Sequence, residues 1–192
     1  METLTMIAEK FNIGLLNAWW YPIVYGIANI AFMIAYPKKF RLRMFTIPKV
    51  ESRFLKAMFF VSLFFFSRGL IIYSIFVPLV LSSPWFWPGT IVFVIGLGLY
   101  AVALYNFALT SNDKPVTSGV YRLTRHPMQI MSIIMWIGIG IASANLIIIA
   151  SSIALALISN FSFIAQEQFC MQTYGEYYQS YMKKTPRYLF FV

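Results

Sequence analysis

From Met128 to Ala165 the chain reads MQIMSIIMWIGIGIASANLIIIASSIALALISNFSFIA, 38 residues without one charged side chain. At about 1.5 Å per residue a single helix of that length would reach about 57 Å, almost twice the roughly 30 Å of a bilayer's hydrocarbon core. Near its middle lie Ser143, Ala144 and Asn145, small and polar residues that suit a tight turn. The stretch therefore reads as a helical hairpin, two crossings folded back on each other.

Working outward, three further apolar runs have crossing length, at about Trp19 to Tyr36, Ala57 to Leu81 and Pro88 to Thr110. With 60% hydrophobic residues against 11% charged, the 192-residue chain lacks the polar surface that a soluble globule of its size needs. The expected fold is all-α: a polytopic membrane helix bundle of about five transmembrane helices, ending in the tight hairpin and a cytoplasmic interfacial C-terminal helix, within a single integral membrane domain over 1–192. The opening METLTMIAEK lacks the basic region of a cleaved signal peptide and is expected to be the mature start. Its loosely amphipathic first 14 or so residues suggest a short helix lying on the outer surface.

A net charge of +9 raises the question of nucleic acid, and the position of the basic residues answers it. Lys38, Lys39, Arg41, Arg43, Lys49, Arg53 and Lys56 follow the first span, Lys114, Arg122 and Arg125 the third, and Lys183, Lys184 and Arg187 lie in the tail. Thirteen of the fifteen Lys and Arg thus fall on one side of an alternating five-span topology, Lys10 alone falls on the other, and Arg68 lies inside span two. By the positive-inside rule the basic side is cytoplasmic and the N-terminus outside. Trp19, Trp20, Trp85 and Trp87 then sit at the outer interface, where amphipathic rings collect. Membrane lipids are the expected surroundings, with no nucleic acid partner. Neither a Gly-rich phosphate loop nor a Cys/His cluster is evident, so no metal is expected. Cys170, the one cysteine, reads as a small buried apolar residue.

Chemistry concentrates in VTSGVYRLTRHPMQ, Val116 to Gln129, which carries the chain's one histidine at the mouth of the hairpin. Pro127 suits the first turn of span four, where its missing N–H costs nothing. His126 then stands at a helix N-terminus, a place that favours an anionic partner such as a carboxylate. A juxtamembrane basic patch that touches lipid phosphates is the competing reading of the same residues. Arg68, in mid-span, is a candidate functional group because an intramembrane guanidinium is costly unless paired, with Glu167 or a substrate anion as its expected partner. Tyr174, Tyr178 and Tyr181, at i, i+4 and i+7, would form one aromatic stripe along a tail helix, packing at the interface or covering a cofactor.

Gly119, Tyr121, Arg125, His126 and Pro127, followed by Glu167 and then by Tyr174, Gly175, Tyr178, Tyr181, Pro186 and Arg187, resemble the C-terminal half of the isoprenylcysteine carboxyl methyltransferase and phospholipid methyltransferase superfamily. The resemblance covers roughly 116–192, leaving 1–115 as N-terminal helices. It implies a membrane-embedded methyltransferase dependent on S-adenosylmethionine, with Gly119, Tyr121, His126, Pro127, Gln129 and Glu167 in or beside the cofactor pocket. Gly96 and Gly98 are similar to a G-x-G cofactor element of phospholipid methyltransferases, although paired glycines in a membrane helix more often serve close packing. The chain departs from the family pattern at Gln166, where an acid is usual, at Ser162, often an arginine, and at Gln129, usually aromatic.

Methyl transfer from a sulfonium depends on in-line positioning and exclusion of water. A carboxylate acceptor needs no base, and Arg68 or Arg125 could orient it by bidentate bonds. An amine or thiol wants a base, for which Glu167 and His126 are the candidates. The acceptor is expected to be lipophilic or small, such as an isoprenylcysteine carboxylate or a phospholipid amine. A membrane reductase or isomerase of similar fold and a non-catalytic lipid-binding protein are the alternatives.

Overall fold

The computed structural model describes residues 13–46, 52–62 and 67–189, and every helix or strand among them is a helix. The order is α1 (Trp20–Ala35), α2 (Lys38–Met44), α3 (Arg53–Phe60), α4 (Ser67–Ser74), α5 (Phe86–Leu109), a 3-10 turn (Gly119–Arg122), α6 (Pro127–Ala142) and α7 (Leu146–Met182). Of these, α5 and α7 are long and apolar enough to cross a membrane, whereas α1 and α6 are apolar but have 16 residues each. The expected N-terminal surface helix lies almost wholly outside the described residues.

The hairpin forms where the uncharged stretch places it, and its turn shows why. Asn145 N–H donates to the Gly140 carbonyl at 2.8 Å and Ala144 N–H to the Ile141 carbonyl at 2.9 Å, the paired bonds of a Schellman stop. That motif puts Ala144 in the left-handed region, at φ 49°. Asn145 then caps α7, its side-chain oxygen accepting from Ile148 N–H at 3.0 Å.

The bundle's centre is the crossing of α5 and α6. Gly89, Phe93, Gly96, Tyr100 and Ala103 are buried at alternating intervals of four and three along α5, one continuous face. A Cβ on Gly89 would stand 2.1 Å from the Ala142 nitrogen, and one on Gly138 2.7 Å from the Phe93 nitrogen, so the two backbones touch where they cross. Gly96 likewise packs on Met135 of α6, but a Cβ on Gly98 would meet nothing within 4 Å, so the two residues of the G-x-G do not act as a pair.

One expectation is corrected. The run from Ala57 to Leu81 is not helical to its end: α4 stops at Ser74, a turn follows at 75–76, and the chain then pairs with 16–18 through an isolated antiparallel bridge between Asn17 and Pro78. Asn17 donates to the Ile75 carbonyl at 2.7 Å, Ala18 N–H to the Val77 carbonyl at 2.8 Å, and Leu79 N–H to the Leu16 carbonyl at 2.7 Å. Pro78, which has no N–H to give a helix, sits in this bridge. A distinct C-terminal helix does form after the hairpin, as expected. α7 is two helices in series, 146–174 and 176–182, that meet at a backbone break at Gly175 (φ 54°, ψ −131°). Tyr174, Tyr178 and Tyr181 all border one cavity across that break, Tyr174 half-buried beside Arg43 and Asn112 and the other two buried.

The bonds define two ends. At one, the 16–18 bridge, Tyr21 on Thr90, Gly89 on Ala142 and Asn145 on Tyr73 gather the tryptophan-rich segments. At the other, Arg43 reaches the Thr110 and Lys114 carbonyls, and the loop before α6 docks on the tail after α7. The basic segments after α1, after α5 and after α7 therefore meet at one end. Between the ends the outside is apolar, with Ile27, Ile34, Ile91, Val94, Ile153 and Leu157 exposed. Hydrocarbon is the natural solvent for such a belt.

Candidate active site

At the basic end a cavity of about 540 Å³ opens between α2, the loop before α6 and the far half of α7. Its polar wall includes Arg43, Tyr121, Arg125, His126, Gln129 and Gln166. Phe107, Met128, Phe169 and Cys170 make it largely apolar elsewhere. The half-buried Cys170 thus sits in a cavity wall.

The loop that supplies Tyr121 and His126 is pinned from both sides. Gly119 has φ 60° and lies so close to α5 that a Cβ would stand 2.1 Å from the Asn106 amide oxygen, which also accepts from Val120 N–H at 3.2 Å. Any side chain there would be both strained and blocked. On the other side, Thr124 donates to the Arg187 carbonyl at 2.6 Å, Arg125 N–H to the Pro186 carbonyl at 3.0 Å, and the Tyr181 hydroxyl to the Tyr121 carbonyl at 2.5 Å. The Tyr121 hydroxyl itself is buried and has no partner among the described residues. Burial pushes that phenol's pKa up, so it stays protonated and able to donate.

Behind this wall Glu167, 5% exposed, gathers the charges. Its Oε1 accepts from Arg125 Nε at 3.0 Å and Arg187 Nε at 3.0 Å and lies 3.2 Å from His126 Nε2, while Oε2 accepts from Arg187 Nη2 at 2.6 Å. The His126 ring lies flat on Phe163, centroids 4.3 Å apart. Burial lowers the His126 pKa below its ordinary value, with Arg125 and Arg187 adding to the effect and Glu167 opposing it. A neutral imidazole with its proton on Nε2 therefore donates to the carboxylate. Arg187 is shifted upward by its bonds to Glu167 and stays charged. The Arg187 Nη1 also reaches Asn160 Oδ1 at 3.2 Å, shared with the Tyr188 hydroxyl at 3.0 Å.

Arg125, His126 and Glu167 come together, and Tyr121, His126 and Gln129 line the cavity, whereas Gly119, Pro127 and Glu167 stand behind the lining. Arg68 is elsewhere: it is exposed on α4, and the cations that bond Glu167 are Arg125 and Arg187. The pairing of Arg68 with Glu167 is corrected accordingly. The departures from the family pattern prove to be partnered. Gln129 Nε2 donates to Gln166 Oε1 at 2.9 Å, so two of them answer each other, and Ser162 shares a 2.6 Å hydroxyl bond with Ser62. Sequence reasoning passed over Arg43, whose guanidinium lies 4.7 Å above the Phe107 ring and bonds the 110–114 backbone and Tyr174. It was counted as one more basic residue, and nothing in its spacing sets it apart. Arg187 was visible only as part of the tail motif, and Asn106 carried no signal.

Against this geometry the comparison with known families is informative. Residues 90–177 match the phospholipid methyltransferase family model. The phospholipid methyltransferase match begins at the α5 end that crosses α6 and runs through the Tyr121 to Gln129 loop, the hairpin and Glu167, stopping just past Gly175. It reaches further back than the 116–192 suggested by motif, and it leaves out Arg187, which bonds Glu167 from outside it. No curated protein matches the chain. The two long apolar helices and the similarity to a membrane methyltransferase family over 90–177 together point to a membrane protein.

Proposed function

We propose that the chain is a multi-pass membrane methyltransferase that draws its methyl group from S-adenosylmethionine and passes it to a lipophilic or small acceptor such as an isoprenylcysteine carboxylate or a phospholipid amine. One observation carries the reading: the family-matched loop brings Tyr121, whose buried hydroxyl has no partner among the described residues, to the wall of a cavity large enough for a cofactor. The donor set fits the group. Arg43 and Arg125 suit its carboxylate, Phe107, Phe169 and Met128 its flat heterocycle, and Tyr121, His126 and Gln129 its polar remainder. When bound, S-adenosylmethionine supplies an electrophilic methyl group on a sulfonium.

The chain's own residues bind, orient and exclude water. Both oxygens of Glu167 are occupied by protein donors, so it acts by positioning Arg125 and His126 and leaves proton transfer to other groups. Arg125 spends Nε on Glu167 and Nη1 on the Met182 and Thr185 carbonyls, leaving Nη2 for a ligand, a single nitrogen in place of the two-nitrogen fork expected from sequence. In this reading the bundle makes five crossings, the basic end faces the cytoplasm, and an apolar acceptor enters laterally from lipid.

The test is equilibrium binding of labelled S-adenosylmethionine, and separately of NADPH, to the purified protein in lipid nanodiscs. Saturable S-adenosylmethionine binding that Tyr121→Phe weakens about tenfold, the worth of one hydrogen bond, is the expected result. Binding of NADPH alone would replace the reading with a reductase, and binding of neither would leave a non-catalytic protein.

A further inference from the structure

A second cavity, about 590 Å³, opens at the same basic end but outside the site just described. Two cations line it, Arg122 at the end of the 3-10 turn and Lys184 just past α7, together with the hydroxyls of Thr117, Tyr177 and Ser180. None of its lining residues is an acid, and among the described residues neither Arg122 nor Lys184 forms an ion pair. The two sides of the cavity cannot drift apart, because Tyr181 bonds the Tyr121 carbonyl and Arg125 bonds the Met182, Thr185 and Pro186 carbonyls. Tyr181 is also the wall shared with the larger cavity.

We propose that this second cavity binds a phosphate group. A planar guanidinium and a compact ammonium set around several hydroxyls match the three or four acceptor oxygens of a phosphate better than the two of a carboxylate. Two cations without an anionic partner among the described residues border one concavity, and an anion bound there would pair with both. Beside them, Leu123 and Tyr177 are exposed, so the cavity borders apolar surface at the end of the bundle where the basic segments gather. That is the depth of lipid headgroups, and a phospholipid could place its phosphate between Arg122 and Lys184 with its chains along the bundle. A free phosphate offers the same chemistry without the chains.

The two sources separate in one experiment. The protein is reconstituted in phosphatidylcholine nanodiscs with and without phosphatidic acid, and retained phosphatidic acid is counted by native mass spectrometry. In parallel, inorganic phosphate is titrated calorimetrically into the protein in phosphatidylcholine alone. Retention of phosphatidic acid that falls at least tenfold in Arg122→Gln/Lys184→Gln supports the site with a lipid source, and calorimetric binding lost in the same variant supports it with a soluble one. Arg53→Gln/Lys56→Gln, which removes two basic residues outside the cavity, should leave both readings unchanged. Arg122 and Lys184 are exposed, so the double variant should elute and melt like the original chain, and the two single variants give graded losses if it does not. Phosphatidic acid and phosphate bound equally with or without Arg122 and Lys184, or lost equally in the Arg53/Lys56 variant, or not bound at all, would overturn the proposal.

Discussion

Changing Glu167 to glutamine removes one charge and keeps the shape, which makes it the most discriminating perturbation of the buried cluster. Arg125, Arg187 and Glu167 together carry a net charge of +1 with neutral His126, and Glu167→Gln raises it to +2 within a few ångströms. The glutamine oxygen can still serve the three donors now on Oε1, but its NH₂ would replace Oε2 and face Arg187 Nη2, a donor against a donor at 2.6 Å. Arg125 and Glu167 have side chains only 9% and 6% exposed, so water can do little to screen the imbalance. Removing one partner of such a buried pair costs about 3–5 kcal/mol, two to three and a half orders of magnitude in the folding equilibrium.

The assay is reversible unfolding in mixed micelles, with Arg187→Gln as the second arm of a double-mutant cycle. Arg187 is 29% exposed, so Arg187→Gln alone should cost less, about 1–3 kcal/mol. In the Glu167→Gln background it removes the surplus charge and should cost close to nothing, giving a coupling of about 1–3 kcal/mol. If Glu167→Gln stays within about 0.5 kcal/mol of the original and the cycle shows no coupling, Glu167 is not the post that holds this end together.

The α5/α6 crossing predicts opposite signs for two glycines. Gly89→Ala drives a methyl into the Ala142 backbone and should destabilise by at least about 2 kcal/mol, whereas Gly98→Ala meets open space and should stabilise by about 0.5–1 kcal/mol, both read from unfolding midpoints. At the hairpin turn, Ala144→Gly relieves a left-handed alanine and should raise stability by about 1 kcal/mol in the same measurement. His126 binds its proton at lower pH in the folded chain than in the unfolded one, so between the two pKa values the unfolded state holds more protons. Its contribution is constant above about pH 6.5 and is lost as pH falls through the window beneath. Unfolding followed against pH should show that loss, and His126→Gln should flatten it.

What could be read in advance follows from the kind of signal each feature leaves. The hairpin was legible because an uncharged apolar run that long must fold back on itself and a Schellman turn needs small or polar residues at its stop, so Met128 to Ala165 records both helices and the joint. The end of α4 was not, because Ile75 to Leu81 is as apolar as a helix would be, and only Pro78 and a distant Asn17 side chain take it out of the helix. The tyrosines were legible as one face, since Tyr174, Tyr178 and Tyr181 line the same cavity, but i, i+4, i+7 spacing could not reveal the break at Gly175 between the first and the other two. At the site, His126 and Glu167 stood out as rare residue types in apolar surroundings. Arg187 and Arg43 were two basic residues among fifteen, and what distinguishes them is the partner each finds across the fold.

The two ends of the bundle divide the work between packing and chemistry. At the tryptophan-rich end, Gly89 and Gly138 let α5 and α6 touch backbone to backbone, which fixes their relative position without any polar group. That fixed crossing carries down to the other end, where Asn106 of α5 receives Gly119 and Val120 and so sets the height of the loop before α6. α7 then brings Glu167 against the same loop from the opposite side, and its continuation past Gly175 returns Arg187 to close the cluster. A polar wall survives in the cavity at the end of an apolar bundle because the buried charges of Arg125 and Glu167 are answered from different elements. Within that end, the buried Tyr121 hydroxyl finds no partner among the described residues.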